Sequence, residues 1–136
     1  ATEKELHELQ ELLRKQPSGY WLHAYACDAV AQIGSRGAVP VLADCLKSEK
    51  FYALPNAFSA LITLGDKRAV PLAIDRISPD IKGKNNGFVV GELKKVTGKS
   101  YGFDQYAWKK WWGSVETTWE IPADFLKPWD KQKPVY

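Results

Sequence analysis

The chain is predicted to be all-α: a short right-handed α-solenoid of antiparallel helix pairs, about seven helices in all, followed by an extended C-terminal tail. Two observations lead there. The first is an internal repeat: Ala26, Ala29, Gly34, Ala38, Val39 and Pro40 recur 31 residues later as Ala57, Ala60, Gly65, Ala69, Val70 and Pro71. Softer matches fill the gaps, with Val30 and Leu61, Ile33 and Leu64, Arg36 and Lys67, and Tyr20 and Phe51 in register. A fixed period of this length marks stacked supersecondary units, each of which buries its apolar side against the next. The second is the spacing of apolar residues, which follows the period of a helix rather than of a strand.

Each element can be justified in turn. Thr2 and Glu5 have the spacing of a capping box, and Leu6, Leu9, Leu12 and Leu13 form the apolar stripe of a first helix that Pro17-Ser18-Gly19 stops. A second helix is expected from about Tyr20 to Ile33, with Leu22, Ala26, Ala29, Val30 and Ile33 on one face and Gly34 as its C-terminal cap. Pro40 suits the first turn of a third helix, where a missing N–H costs little, and Val39, Leu42, Ala43 and Leu46 give that helix its buried side.

The next unit repeats the plan. A fourth helix is expected from about Phe51 to Leu64, with Pro55 in its first turn, and a fifth from near Arg68, with Pro71 in its first turn, to just before Ser78-Pro79. The polar stretch 80–86 reads as a loop. Phe88, Val89, Leu93 and Val96 mark a sixth helix closed by Thr97-Gly98. Asp104 caps a seventh, whose stripe is Trp108, Trp111, Trp112 and Val115. After Trp119 the periodicity stops, and Pro122, Pro128 and Pro134 punctuate the rest. The expected organisation is therefore residues 1–118 as the helical stack, including its Trp-rich capping helix, and 119–136 as a Pro/aromatic tail.

Composition narrows the function. The 136 residues carry a net charge of only +3, too little to imply nucleic acid. No apolar run reaches the length of a membrane span. The sequence has no Met and opens on Ala1, a small residue of the kind left by signal-peptide cleavage, so an exported, periplasmic-type location is expected, with a cytoplasmic one as the alternative. The only cysteines, Cys27 and Cys45, fit no metal or redox spacing. They read as buried small hydrophobes, although their similar heights on two antiparallel helices leave a disulfide open.

The pattern Ala-x-x-Ala-Val-x-x-Ile-Gly-x-x-x-Ala-Val-Pro at 26–40, repeated with Leu variants at 57–71, resembles the HEAT-like repeats of phycobilin-lyase-type proteins. The stretch from Leu93 through Thr97-Gly98-Lys99, Tyr101-Gly102, Asp104, Trp108 and Trp111-Trp112 is similar to a terminal module that follows such repeats in bacterial proteins. The resemblance spans about residues 20–115. It implies a helical-repeat fold used for protein–protein interaction, scaffolding and, in some members, chromophore attachment.

Catalytic signatures find little support. His7 and His23 lie on different helices without a nucleophile or companion ligand at useful spacing, and no pair of carboxylates stands out as acid and base. Gly98-Lys99-Ser100 mimics the end of a phosphate-binding loop, but the required upstream glycine position holds Leu93. No cofactor and no metal site are expected.

Two sets of residues are candidates for binding a protein partner or a second copy. On the second and fourth helices, Tyr25, Asp28 and Gln32 and then Asn56, Ser59 and Thr63 lie off the core stripe at the same 31-residue offset, so they form a polar ladder that Glu92 and Lys95 continue. In the tail, Trp119, Phe125 and Trp129 either pack back on the stack or anchor the chain to another subunit. Lys82, Lys84, Lys94, Lys95, Lys99, Lys109 and Lys110 make the later third locally basic, but without arginine or a recognised module nucleic acid is disfavoured. The expected function is a non-enzymatic interaction or scaffold module, an accessory or assembly subunit of a larger complex. A HEAT-like lyase or other small-substrate enzyme is the rival, and a basic nucleic-acid-binding module the third reading.

Overall fold

The structure, a computed structural model, describes residues 3–14, 20–34, 36–48, 53–77 and 86–126. Among these residues there is no strand, and the chain forms seven α-helices: α1 (Glu3–Arg14), α2 (Tyr20–Ile33), α3 (Val39–Lys47), α4 (Leu54–Thr63), α5 (Ala69–Ile74), α6 (Asn86–Thr97) and α7 (Gln105–Val115). Short 3-10 turns at Arg36–Ala38 and Ala123–Phe125 complete the described elements. Thr2 of the expected capping box, the Pro17-Ser18-Gly19 stop, most of the 80–86 loop and the tail beyond Leu126 lie outside the described residues.

The helices pack in two rows. α4 lies between α2 and α6, while α3 packs on α1 and on α5, and α5 on α7. Between the rows, α1 packs on α2, α3 on α4, and α5 on both α4 and α6. The core runs along the seam. It holds Leu6 and Leu13 of α1, Ala26, Cys27 and Val30 of α2, Leu42 and Leu46 of α3, Phe58, Leu61 and Ile62 of α4, Val70 and Ile74 of α5, Val89 and Leu93 of α6, and Trp108 of α7. Small residues at Ala26, Ala57, Ala60 and Ala69, all fully or nearly fully buried, sit among these larger side chains.

The repeated glycine and proline take up matching places in the two repeats. Gly34 and Gly65 end α2 and α4 at φ +83° and +85°, a left-handed geometry that only glycine adopts without strain. The Gly34 N–H donates to Val30 O, and the Gly65 N–H to Ile62 O. Pro40 then falls in the first turn of α3 and Pro71 in the first turn of α5.

Three boundaries differ from the sequence reading. α4 begins at Leu54 rather than near Phe51, because Ala53, at φ −104° and ψ +47°, is outside helical geometry. Pro55 explains the difference: inside a helix it would remove an i→i−4 hydrogen bond and press against the carbonyl of residue 51, so it sits in the first turn instead. α5 ends at Ile74 rather than just before Ser78, because the chain tightens there into i→i−3 bonds, with the Arg76 N–H donating to Ala73 O and the Ile77 N–H to Ile74 O. α6 begins at Asn86, the last residue of the expected loop.

The C-terminal end is built around Trp108. Its side chain is fully buried, and its Nε1–H donates to Gly102 O at 2.8 Å, so the buried indole leaves no donor unmet. Tyr101 packs edge-on against it at 5.1 Å. Asp104 caps α7 as its sequence position suggests, accepting from the Ala107 N–H at 3.0 Å. Gln105 Nε2 donates to Ile74 O and ties α7 to the end of α5.

Candidate functional site

The ladder is created by helix periodicity combined with the repeat. Positions 25, 28 and 32 lie on one side of α2, positions 56, 59 and 63 on one side of α4, and the two helices pack side by side. Tyr25 is 61% exposed, so a large aromatic ring stands in solvent at this surface. Asp28, Gln32 and Ser59 are exposed, while Asn56 and Thr63 are half-buried. Asn56 Nδ2 donates to Asp28 Oδ1 at 3.3 Å, a direct bond between the two repeats on this face.

Next to that bond lies an open depression of about 440 Å³ lined by Asp28, Ala31, Gln32, Ser59, Ala60 and Thr63. Its chemistry is polar with one carboxylate, and the alanines keep its floor low. α6, the next helix in the row, carries Glu92 and Lys95, whose side chains pair at 3.5 Å. The structure thus brings all six ladder residues of α2 and α4 to one surface.

The described part of the tail turns back on its own chain. Trp119 is half-buried, with its ring 6.3 Å from that of Trp111 and 5.7 Å from that of Trp112, both close to perpendicular. Lys67, in the turn after α4, donates through Nζ to Glu116 O at 2.8 Å and Trp119 O at 2.9 Å. Ile121 and Phe125 also pack against the core. Of the two roles open to the tail aromatics, Trp119 and Phe125 therefore serve the first, packing on the stack; Trp129 lies outside the described residues.

This return creates a second concavity, of about 460 Å³, which the sequence reading missed. Arg36, residues 63–68 and the tail residues Glu120, Ile121 and Leu126 line it. Thr63 belongs to both concavities, so the lower end of the ladder meets the tail. Asp66 receives bonds from the Arg68 backbone N–H and from its guanidinium at 2.8–3.1 Å. Partial burial raises the Asp66 pKa, but the Arg68 hydrogen bonds and charge outweigh it and hold the carboxyl below its ordinary value. The signal in the sequence was a cation at one register of both repeats, Arg36 and Lys67, which gave no hint that a distant segment would cross it.

The remaining reactive groups have structural surroundings. Cys27 and Cys45 are buried free thiols, and Cys45 Sγ–H points to Leu13 O at 3.9 Å. Burial pushes both thiols up, with the neighbouring Cys45 and Asp28 adding to the effect on Cys27; Cys45 reaches about 12. Both stay protonated at neutral pH and are poor nucleophiles. His23 is fully buried and His7 exposed. Among the described residues no three metal-ligating side chains gather, and no helix is long and apolar enough to cross a membrane. Of the basic residues in the later third, Lys109 faces Asp75 at 3.6 Å and Lys95 pairs with Glu92.

Against known protein families, curated proteins and solved structures, the chain shows no match.

Proposed function

We propose that this chain is a non-enzymatic interaction module, a short HEAT-like stack that serves as an accessory or assembly subunit and docks a protein partner on its polar ladder. The observation that carries the reading is one open depression lined by Asp28, Gln32, Ser59 and Thr63 from two successive repeats, with Asn56 bonded to Asp28 at its side and Tyr25 exposed on the same side of α2. Such a surface offers an exposed aromatic ring beside adaptable polar groups on a rigid support, a combination suited to protein recognition. The 31-residue repeat and the two rows of helices support the HEAT-like reading.

In this reading the tail has a different role from an anchor to another chain. Trp119 and Phe125 are committed to their own helices, so the segment 116–126 braces the lower end of the ladder. The exported location expected from the sequence would place the partner in the same compartment.

The test is affinity capture with the wild-type chain and with Ser59→Arg, combined with sedimentation to detect self-association. An arginine at this exposed position fills the depression without touching the core. Recovery of the captured protein, or the self-association constant, is expected to fall at least about tenfold, as steric blocks at an interface centre do. Equal recovery and equal sedimentation for both proteins at matched thermal stability would remove the ladder from the interface.

A further inference from the structure

The two repeats present a cation at the same register, Arg36 in the first and Lys67 in the second. Their surroundings show what this position can do. Lys67 holds the backbone carbonyls of Glu116 and Trp119, so its register is an oxygen-binding position filled by a crossing segment of the same chain. Arg36 stands one repeat away on the wall of the 460 Å³ cavity, and no described acceptor pairs with its guanidinium. The other charges there are otherwise placed: Arg68 is engaged by Asp66, and Lys67 by the two carbonyls. Glu120 is the remaining charged side chain of the lining and lies exposed.

The rest of the cavity is apolar in a specific place. Leu64, Ile121 and Leu126 line it, and the bare Gly65 backbone lies between the Leu126 methyl and the Arg36 guanidinium: a Cβ built there would lie 3.8 Å from Leu126 Cδ2 and 3.9 Å from Arg36 Nη2. An anion-binding fork and an aliphatic wall therefore face one space. Its volume is that of a small-ligand site, for which such sites commonly offer about 300–1,000 Å³.

We propose that this cavity binds an apolar carboxylate, with Arg36 gripping the carboxylate through its planar guanidinium while Leu64, Ile121 and Leu126 cover the hydrocarbon body. Arginine suits this task because its fork matches two carboxylate oxygens at once. The same chemistry is offered by a free amphiphilic acid and by the C-terminal residue of an apolar peptide. The inference does not rest on the ladder as a docking surface; either can fail alone, because the residues tested lie in different concavities.

The experiment is a titration of the full chain, followed by two-dimensional amide NMR, with four probes: octanoate, octanol, an acetylated peptide ending in Val-Leu with a free carboxylate, and its C-terminal amide. Saturable shifts confined to amides of Arg36, residues 63–68 and residues 120, 121 and 123–126 are expected with at least one of the two carboxylates, and weaker or no shifts with the octanol and amide counterparts. Arg36→Met keeps the side-chain length and removes the charge; it is expected to weaken carboxylate binding at least about tenfold. Arg36→Lys should recover part of that loss. Octanoate alone binding identifies a free amphiphile as the source, and the peptide alone a chain terminus; each outcome supports the site. No saturable shift with either carboxylate, equal binding of the neutral counterparts, or unchanged affinity in a folded Arg36→Met protein would overturn it.

Discussion

The two repeats of this chain share the left-handed glycine that ends the first helix of each, but not their surroundings. Gly34 and Gly65 have the same left-handed φ to within a few degrees, and Ala26 and Ala57 are equally buried. Yet Ala31 and Ile33 of α2 are half-buried, whereas their equivalents Ile62 and Leu64 are each 2% exposed. The difference follows from position. α4 has a neighbour on each side within its row, α2 and α6, and the turn after it is bonded through Lys67 to the carbonyls of Glu116 and Trp119. A repeat thus repeats its shape, while its place in the stack sets how much of it is withdrawn from water.

That comparison can be broken most sharply at equivalent core positions. Phe58 corresponds to Cys27, and both are fully buried. Phe58→Ala is expected to cost about 3–5 kcal/mol in urea unfolding, since it leaves a ring-sized cavity in the central helix. Cys27→Ala should cost only about 1 kcal/mol, the value of one small buried group. Equal losses would mean that the second repeat is not the keystone of the core.

The shared conformation is tested by Gly34→Ala and Gly65→Ala. Each is expected to cost about 1–2 kcal/mol, because an L side chain is strained at φ near +84°. At Gly65 the new Cβ would meet its neighbours only at ordinary contact distance, so strain is the whole of the loss. Clearly unequal losses in matched urea unfolding curves would separate the two turns.

The different surroundings are tested at the paired cations. Lys67→Met removes both bonds to the returning segment and is expected to cost about 1–2 kcal/mol, with a changed near-ultraviolet circular dichroism signal from the Trp111–Trp112–Trp119 group. Arg36→Met should stay within about 0.5 kcal/mol of wild type, as expected for an exposed charge with no partner among the described residues. Equal costs would contradict the distinct roles of the two positions.

The smallest effect concerns acid. Asp66 has no carboxylate equivalent in the first repeat, where Ser35 stands at its register. Its folded-state pKa is lowered, so its contribution is present above the ordinary carboxylate value and is lost as pH falls through the lowered one. Asp66→Asn is therefore expected to lower stability slightly at neutral pH and to bring the mutant and wild-type melting temperatures together in strong acid. A gap that persists or widens on acidification would show that the Arg68 pair does not stabilise the turn.

Most helix limits were legible because they are set by single residues acting locally. Gly34 and Gly65 supply a conformation other residues avoid, Pro40 and Pro71 occupy the turn where no N–H is needed, and Asp104 accepts the hydrogen bond its position suggested. The start of α4 was misplaced because the match of Phe51 to Tyr20 suggested equal helices, and Pro55 overruled it. The ladder was legible because helix period and repeat period together fix which side chains align. The cavity at Arg36 was not, because its far wall comes from residues more than fifty positions away along the chain. No local pattern states where a segment without periodicity will lie.

The amino-acid sequence alone therefore determined the helical class, the repeat, and the polar row on α2 and α4, since each depends on spacing within a few turns of chain. Only the tertiary structure decided that α4 would be enclosed, that Trp119 would lie against Trp111 and Trp112, and that Lys67 would be engaged while Arg36 stands open. Those outcomes depend on which surfaces meet, and hydrophobic burial chooses among meetings by total area removed from water rather than by any one residue's preference.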